Sequence, residues 1–510
     1  MYRQYISIFL TVLLLASCSK FDEINTDPTR TTKVTSAMLA TTLLLDMTRT
    51  TFKTNTDFMR PNMLAKYTCW SSSANDEQYN RLSRTEYFDR LVVLNNIDKM
   101  IALATSEELK NSYTALGHLV RAWRFFELTM QVGDVPYSQA IKGEDSHIIK
   151  PAYDSQKDVF LGILSELDKA DELFGKGVDF AGDPIYGGKV TQWRKMVNTF
   201  QLKVLTNLFR KTADTDLNVK SRFQKIVSSM PIMQSNDDNF QLRFYDKTGE
   251  KYPFYKENNQ SYVYIMLSSV IIDSLKTLKD RRLFYYGKPS PVKIQGGMLV
   301  SDWNAYTAPN PSASYSVISQ VAGSRDYSTI NDRYLELPSG EPVFLLSYAE
   351  MKFMLAEAAV RGWVTGNAAD YYNDAIIAAM KFTVDNTIND PAYHHNMPIT
   401  DDYVRNVYLK QPAVVFATNT DQRLKQIFLQ QYLSNFLQHP FNAYFEYRRV
   451  GYPVFPINPA SNMNIPSDRI PVRWMYPQKE LDYNGVEVNK AIQRQYGSDN
   501  VNALMWILKD

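Results

Sequence analysis

The stretch Glu107–Gln131, EELKNSYTALGHLVRAWRFFELTMQ, reads as one long helix. Its apolar residues Leu109, Tyr113, Leu116, Val120, Trp123, Phe126 and Met130 recur at helical spacing and so share a face, and Gly133 stands just beyond as a stop. The pattern extends in both directions. Upstream, helical spacing begins near Ser36 and recurs from Glu86 to Leu103 through Leu91, Leu94, Ile97 and Ile101. Downstream, two more helices fit Gln156–Phe174 and Thr191–Thr212, parted by a loop running from Gly175-Lys176-Gly177 to Gly187-Gly188.

The texture changes from about Met230 to Pro342, where Tyr, Asn, Ser, Gly and Pro crowd together. Helical patterning there is mainly Tyr262–Leu278, and Phe240-Gln241-Leu242-Arg243-Phe244 alternates as a minor strand does. Segment 230–342 reads as a loop-rich insertion carrying specificity, because function concentrates on loops held by a scaffold. Helices then return. Leu345–Arg361 stops at Gly362, Asn367 caps Ala368–Asp385 with Tyr371, Ala375, Ile376, Ala379 and Met380 inward, and Asp421 caps Gln422–Gln438. After Gly451 the chain is proline-rich and irregular until Val486–Tyr496. Paired helices of these lengths resemble tetratricopeptide-type hairpins, without a strict repeat of about 34 residues. The fold class is all-α.

At the N-terminus, Arg3 supplies a positive charge and Ile6–Leu15 an apolar run too short to span a bilayer. Ala16 and Ser17 ahead of Cys18 look like the lipobox of a bacterial lipoprotein. Residues 1–17 then form a signal peptide, Cys18 is acylated as the first mature residue, and 18–35 is an extended tether rich in Thr, Asp and Asn. The alternative is an ordinary secretory signal that contains a cysteine. Ser19 rather than an aspartate follows Cys18, which favours outer-membrane delivery. Once Cys18 is lipidated, Cys69 is the one remaining thiol, so no intramolecular disulfide forms and the fold rests on its core.

With 45% hydrophobic and 22% charged residues the chain has a globular composition, and 510 residues allow several domains or one large helical body. A net charge of +2 without a dense basic stripe gives no electrostatic case for nucleic acid. No apolar run after residue 17 is long enough to cross a membrane. The 33 Tyr, 26 Phe and 7 Trp exceed what a core of this kind needs, leaving aromatics for surfaces that touch ligands.

Taken in order, a set of motifs resembles the SusD/RagB superfamily of nutrient-binding outer-membrane lipoproteins, and within it the SusD-like group. They are the Cys18 lipobox followed by Phe21-Asp22-Glu23-Ile24-Asn25-Thr26-Asp27-Pro28, then Ala122-Trp123-Arg124-Phe125-Phe126 leading to Gly133-Asp134-Val135-Pro136-Tyr137. Tyr348-Ala349-Glu350, Ala356-Glu357-Ala358-Ala359 and Arg361-Gly362-Trp363 follow. Phe445-Glu446-Tyr447-Arg448-Arg449-Val450-Gly451-Tyr452-Pro453, Arg469-Ile470-Pro471, Tyr476-Pro477, Glu480 and Asn489 complete the series. The chain departs from the pattern at Ser339-Gly340-Glu341, where related sequences often approach the Tyr-Ala-Glu helix through more prolines. The resemblance spans nearly the whole chain. It implies a single all-α domain, residues 36–510, built on four tetratricopeptide-like helix pairs. It also implies a lid over a TonB-dependent SusC-like transporter that catches an oligosaccharide, or in some members a peptide, without turning it over. No cofactor is implied.

A pyranose offers an apolar CH face and a rim of hydroxyls, so its receptor needs flat π surfaces beside hydrogen-bonding side chains. The candidate ligand-binding residues are Trp70, Tyr79, Tyr255, Trp303, Tyr306 and Tyr315, with Asn75, Gln78 and Asn304 as polar companions. Burial against the scaffold is the alternative for each aromatic. Trp303, flanked by polar residues in Ser301-Asp302-Trp303-Asn304-Ala305-Tyr306, is the leading candidate. Glu350 and Glu357 share a helix face, the arrangement paired glycosidase carboxylates need, but their simpler role is to accept hydrogen bonds or to pair with Arg448 and Arg449. His118, His147, His394, His395 and His439 show no ligand spacing, and Asp179, Gly182 and Asp183 only loosely suggest a calcium loop. The favoured reading is a cell-surface, palmitoylated lipoprotein of the outer membrane that binds oligosaccharides. A peptide- or other nutrient-binding lid and a helical-repeat interaction scaffold are the alternatives.

Overall fold

A computed structural model describes residues 33–49, 58–439 and 441–510, so the signal peptide, the Cys18 lipobox and most of the tether lie outside the described residues. Helices dominate, arranged in tetratricopeptide-like pairs. The principal ones are α1 (Ser36–Thr48), α2 (Glu107–Val132), α3 (Gln156–Lys176), α4 (Val190–Asn207), α5 (Tyr348–Val360), α6 (Ala368–Asp385), α7 (Thr420–Ser434) and α8 (Asn442–Val450). α2 packs on α3 and α3 on α4; α5 packs on α6 and α7, and α4 reaches across to α5.

The long α2 behaves as its pattern predicts. Ser106 caps it, its hydroxyl accepting from Leu109 N, with Glu107 and Glu108 in the first turn where the helix dipole favours them. Gly133 ends it at φ 89°, where a Cβ would collide with the side chains of Gln495 and Tyr496. Trp123 in its buried face meets Phe200 of α4 at 4.5 Å and Phe240 at 5.4 Å, joining the first helix layers to the centre of the molecule. α5 ends as expected at Gly362 (φ 69°), with Trp363 N bonded to Ala358 O and Gly362 N to Ala359 O, the double bond of a Schellman cap.

Two antiparallel strand pairs interrupt the helices. β1 (Thr68–Trp70) faces β3 (Ile265–Leu267), with Trp70 opposite Ile265, and β2 (Phe240–Leu242) faces β4 (Val343–Leu346). These strands correct several expected helices. Tyr262–Leu278 divides into a 3₁₀ turn Gln260–Tyr264, β3 and a helix Ser269–Thr277, because Ile265-Met266-Leu267 is an apolar run buried throughout. Leu345 and Leu346 belong to β4, and the helix starts only after Ser347, whose hydroxyl accepts from Glu350 N. Glu86–Leu103 becomes a 3₁₀ helix Tyr87–Asn95 followed by an α-helix Asn96–Ala102. The steps of three from Leu91 to Leu94 to Ile97 suit three residues per turn. Thr191–Thr212 breaks after Asn207 into a 3₁₀ turn. Asn419, not Asp421, caps α7, which ends at Ser434 so that the Gln438 side chain can reach Glu341 and Phe344 N.

Buried ion pairs fasten the layers. Glu357 takes two 2.7 Å hydrogen bonds from Arg449 of α8 and one of 2.8 Å from Arg361. Glu350 meets Lys203 of α4 at 3.0 Å. Glu341, in the stretch that departs from the family pattern, is buried against Arg333 and Gln438. No helix among the described residues is long and apolar enough to cross a membrane.

Candidate ligand-binding face

Chain segments 71–79, 260–265, 311–316 and 456–463 converge at one place on the surface. Ser71 N donates to Tyr264 O (3.0 Å), continuing the β1–β3 pairing beyond Trp70. Tyr315 OH donates to Ser72 O (2.9 Å) and Tyr79 OH to Ala313 O (3.1 Å). Ser312 donates its hydroxyl to Pro456 O, Ser461 returns one to Ser312 O (2.6 Å), and Met463 N donates to Tyr79 O (2.8 Å). The result is a stitched surface on which Tyr264 is 42% exposed and Tyr315 half-buried, rimmed by Ser72, Ser73, Ala74 and Met463. Its segments carry two carboxylates, each facing an arginine: Arg81 lies 3.8 Å from Asp76 and Arg60 3.9 Å from Glu77.

Trp70, Tyr79 and Tyr315 are thus brought together, but the first two serve from beneath. The Trp70 ring is buried edge-on to Tyr264 with centroids 5.3 Å apart, and the Trp70 backbone N–H donates to Gln78 Oε1 (2.7 Å). Tyr79 is buried too, and burial pushes its hydroxyl up to about 12, so it remains a protonated donor. Gln78 is wholly buried and acts as a brace rather than a companion facing solvent. Asn75 is partly exposed, its side-chain oxygen accepting from Glu77 N and Gln78 N.

Trp303 and Tyr306 stand elsewhere, together on Phe284. Tyr306 has no exposed surface; its hydroxyl donates to Val300 O and its ring packs edge-on to Phe284 at 5.1 Å. It is a pillar of the core because the short turn Trp303–Ala305 folds it inward. Trp303 is half-buried, 4.8 Å from Phe284, with the Lys279 ammonium 5.3 Å above its ring and Asn304 exposed beside it. Tyr255 is at a third place, 7% exposed beneath Lys251. Sequence reading missed Tyr264, which a helix over 262–278 would have hidden. The run Asn259-Gln260-Ser261-Tyr262-Val263-Tyr264, polar and aromatic without helical spacing, was the available signal.

The remaining constellations have structural uses. Asp183 accepts from Ile185 N, Tyr186 N, Gly188 N and Trp193 Nε1, which consumes the oxygens a calcium loop would offer. His118 pairs with Glu166, and His395 Nδ1 meets Phe284 O at 2.8 Å. Among the described residues no three His, Cys, Asp or Glu side chains gather as a metal-binding group. A cleft of about 510 Å³ between α1, helix Tyr87–Asn95 and α2 is walled by Tyr87, Phe441 and Trp474 and floored by Glu127. Burial works to raise the Glu127 pKa, but Arg124 and His439 outweigh it and hold the group at about 2.

Comparison with known proteins adds to this geometry. A SusD-like family model described as "Starch-binding associating with outer membrane" matches residues 28–477. A SusD homologue from Bacteroides fragilis is 43% identical, with a TM-score of 0.90, covering 93% of this chain and 100% of its own. A second B. fragilis SusD homologue is 34% identical at a TM-score of 0.82, covering 94% and 100%. A chitin-binding SusD homologue from Flavobacterium johnsoniae shares the fold at 19% identity and a TM-score of 0.71, covering 93% and 99%. No curated protein matches the chain.

Proposed function

The chain belongs to the SusD-like family of starch-binding proteins that associate with the outer membrane, and from that premise we propose that it is a surface lipoprotein capturing neutral oligosaccharides for a TonB-dependent SusC-like transporter. The signal peptide 1–17, acylation of Cys18 and the tether 18–35 supply the anchor, and residues 36–510 form one ligand-binding domain whose insertion, 230–342, carries two of the segments of the binding face. The protein binds and releases its ligand without turnover.

The observation that carries this reading is the face around Tyr264 and Tyr315. Aromatic surface, serine hydroxyls and carboxamides meet there on backbone locked by cross-segment hydrogen bonds, so little is lost to ordering when a sugar docks. Its two carboxylates, Asp76 and Glu77, are each met by an arginine, Arg81 and Arg60, so the face offers charged glycans no net attraction and suits neutral ones. Trp70 and Tyr79 support the face, and Trp303 with Asn304 offers a second, smaller aromatic site.

Calorimetry on the mature domain lacking Cys18 tests this, with α-glucans, chito-oligosaccharides, pectic fragments and peptides as ligands and Tyr264→Ala and Trp303→Ala as variants. Neutral-glycan binding on the order of micromolar, weakened roughly tenfold or about 1.4 kcal/mol by Tyr264→Ala, supports the reading. Loss confined to Trp303→Ala moves the site to Phe284, and saturable binding of peptides alone replaces the glycan assignment.

A further inference from the structure

Behind the binding face lies a lysine with no surface at all. Lys66 is 0% exposed and sits at φ 60° at the turn between helix Met59–Leu64 and β1. Its carbonyl is held by the Ser268 hydroxyl at the far end of β3, which fixes the root of the strand pair. Its ammonium donates forward, 2.6 Å to Gln78 O and 2.7 Å to Asn80 Oδ1.

Residues 78–80 are the hub through which the segments of the face are joined. Gln78 accepts from Trp70 N and donates to Pro311 O, Tyr79 bonds Ala313 and Met463, and the Asn80 side chain donates to Asn462 Oδ1 (3.3 Å). Asn462 in turn donates to Ser467 O and Arg469 O, bracing the proline-rich tail. One ammonium thus sits where the 71–79 loop meets segments 311–316 and 456–463, and through Gln78 and Trp70 it adjoins the strand pair that carries Tyr264.

We propose that Lys66 is a positioning residue of the ligand site: it touches no ligand, and by clamping residues 78–80 from within it sets the spacing of Tyr264, Tyr315 and the 71–76 loop. The proposal rests on reading that face as the ligand site. Burial supports a positioning rather than a stabilising role. Among the described residues no carboxylate pairs with Lys66; burial pulls its pKa down to about 7 and pushes the neighbouring Cys69 thiol up to about 12, so no charged partner offsets the cost of the ammonium.

The test is hydrogen exchange by mass spectrometry on the folded mature domain, combined with glycan titration, for wild type, Lys66→Met and Lys203→Met. Lys203 is also buried, but its partners are Glu350 and Asn442 in the helical layers. In Lys66→Met the amides of Ser71, Tyr79 and Arg81 are expected to exchange roughly tenfold faster with α3 unchanged, and glycan affinity to fall several-fold. Lys203→Met should disturb α4 and α5 and leave both readouts at the face alone. Unchanged exchange over 71–81 overturns the clamp, and faster exchange with unaltered affinity overturns the positioning role. If wild type binds none of the oligosaccharides, the ligand reading fails, and the exchange data still decide whether Lys66 clamps the hub. Should Lys66→Met not fold, Asn80→Gly removes one acceptor at a position whose φ of 61° glycine tolerates, and is expected to loosen the same amides.

Discussion

Glu357 shows how a carboxylate that spacing alone would pair with Glu350 for catalysis is committed to structure instead. Two arginines enclose it, and although burial works to raise its pKa, Arg449 and Arg361 hold the group below the usual carboxylate range. Glu357→Ala leaves the Arg449 guanidinium buried without its main partner, and denaturant unfolding is expected to report a loss of about 3–5 kcal/mol with glycan affinity retained in whatever fraction stays folded. Glu127 gives a pH signature. Its folded pKa of about 2 lies below the ordinary carboxylate value, so its contribution is fully present above about pH 4.5 and is lost as pH falls toward 2. Denaturation curves across that window should differ between wild type and Glu127→Gln by an amount on the order of 3 kcal/mol at neutral pH that shrinks with acid. A difference independent of pH would refute the assignment. Tyr264→Ala, the substitution that tests the binding face, changes a half-exposed ring and is expected to leave stability within about 0.5 kcal/mol.

At the scale of elements, chemistry that is local in sequence was the most legible. Asn367 and Gly362 act where the sequence places them because a cap depends on atoms within a few residues. Ser347→Ala should therefore cost about 1 kcal/mol in thermal or chemical unfolding, as the loss of a cap does elsewhere. The sequence showed β2, where Phe240–Leu242 alternates as expected, but concealed the other short strands. Ile265-Met266-Leu267 and Val343–Leu346 are strands only because β1 and β2, far away in the chain, lie against them, and a short apolar run carries no period that tells strand from helix. The same blindness misplaced Tyr264, since one residue of the β1–β3 extension became one turn of an expected helix.

The whole molecule adds the question of how binding is coupled to the membrane. If Cys18 carries the acyl chains, metabolic labelling with an alkyne palmitate analogue should mark wild type and not Cys18→Ser, and the variant should leave the membrane fraction, because several chains anchor durably where a protein surface does not. Co-purification of a SusC-like transporter with the anchored protein, and not with soluble protein at low concentration, is the expected companion result, since tethering raises effective concentration. Sequence alone determined the all-α class, the helix pairs, the Asn367 and Gly362 caps and the family, each encoded by spacing or by short contiguous motifs. Tertiary structure alone decided which aromatics face outward. Trp70, Tyr79 and Tyr306 are buried although Ser71, Gln78 with Asn80, and Thr307 adjoin them, whereas Tyr264 is exposed between the apolar Val263 and Ile265. A side chain's exposure is set by what distant segments lay over it, and here those segments, 311–316 and 456–463, join the loop at 71–79 across more than two hundred residues of chain.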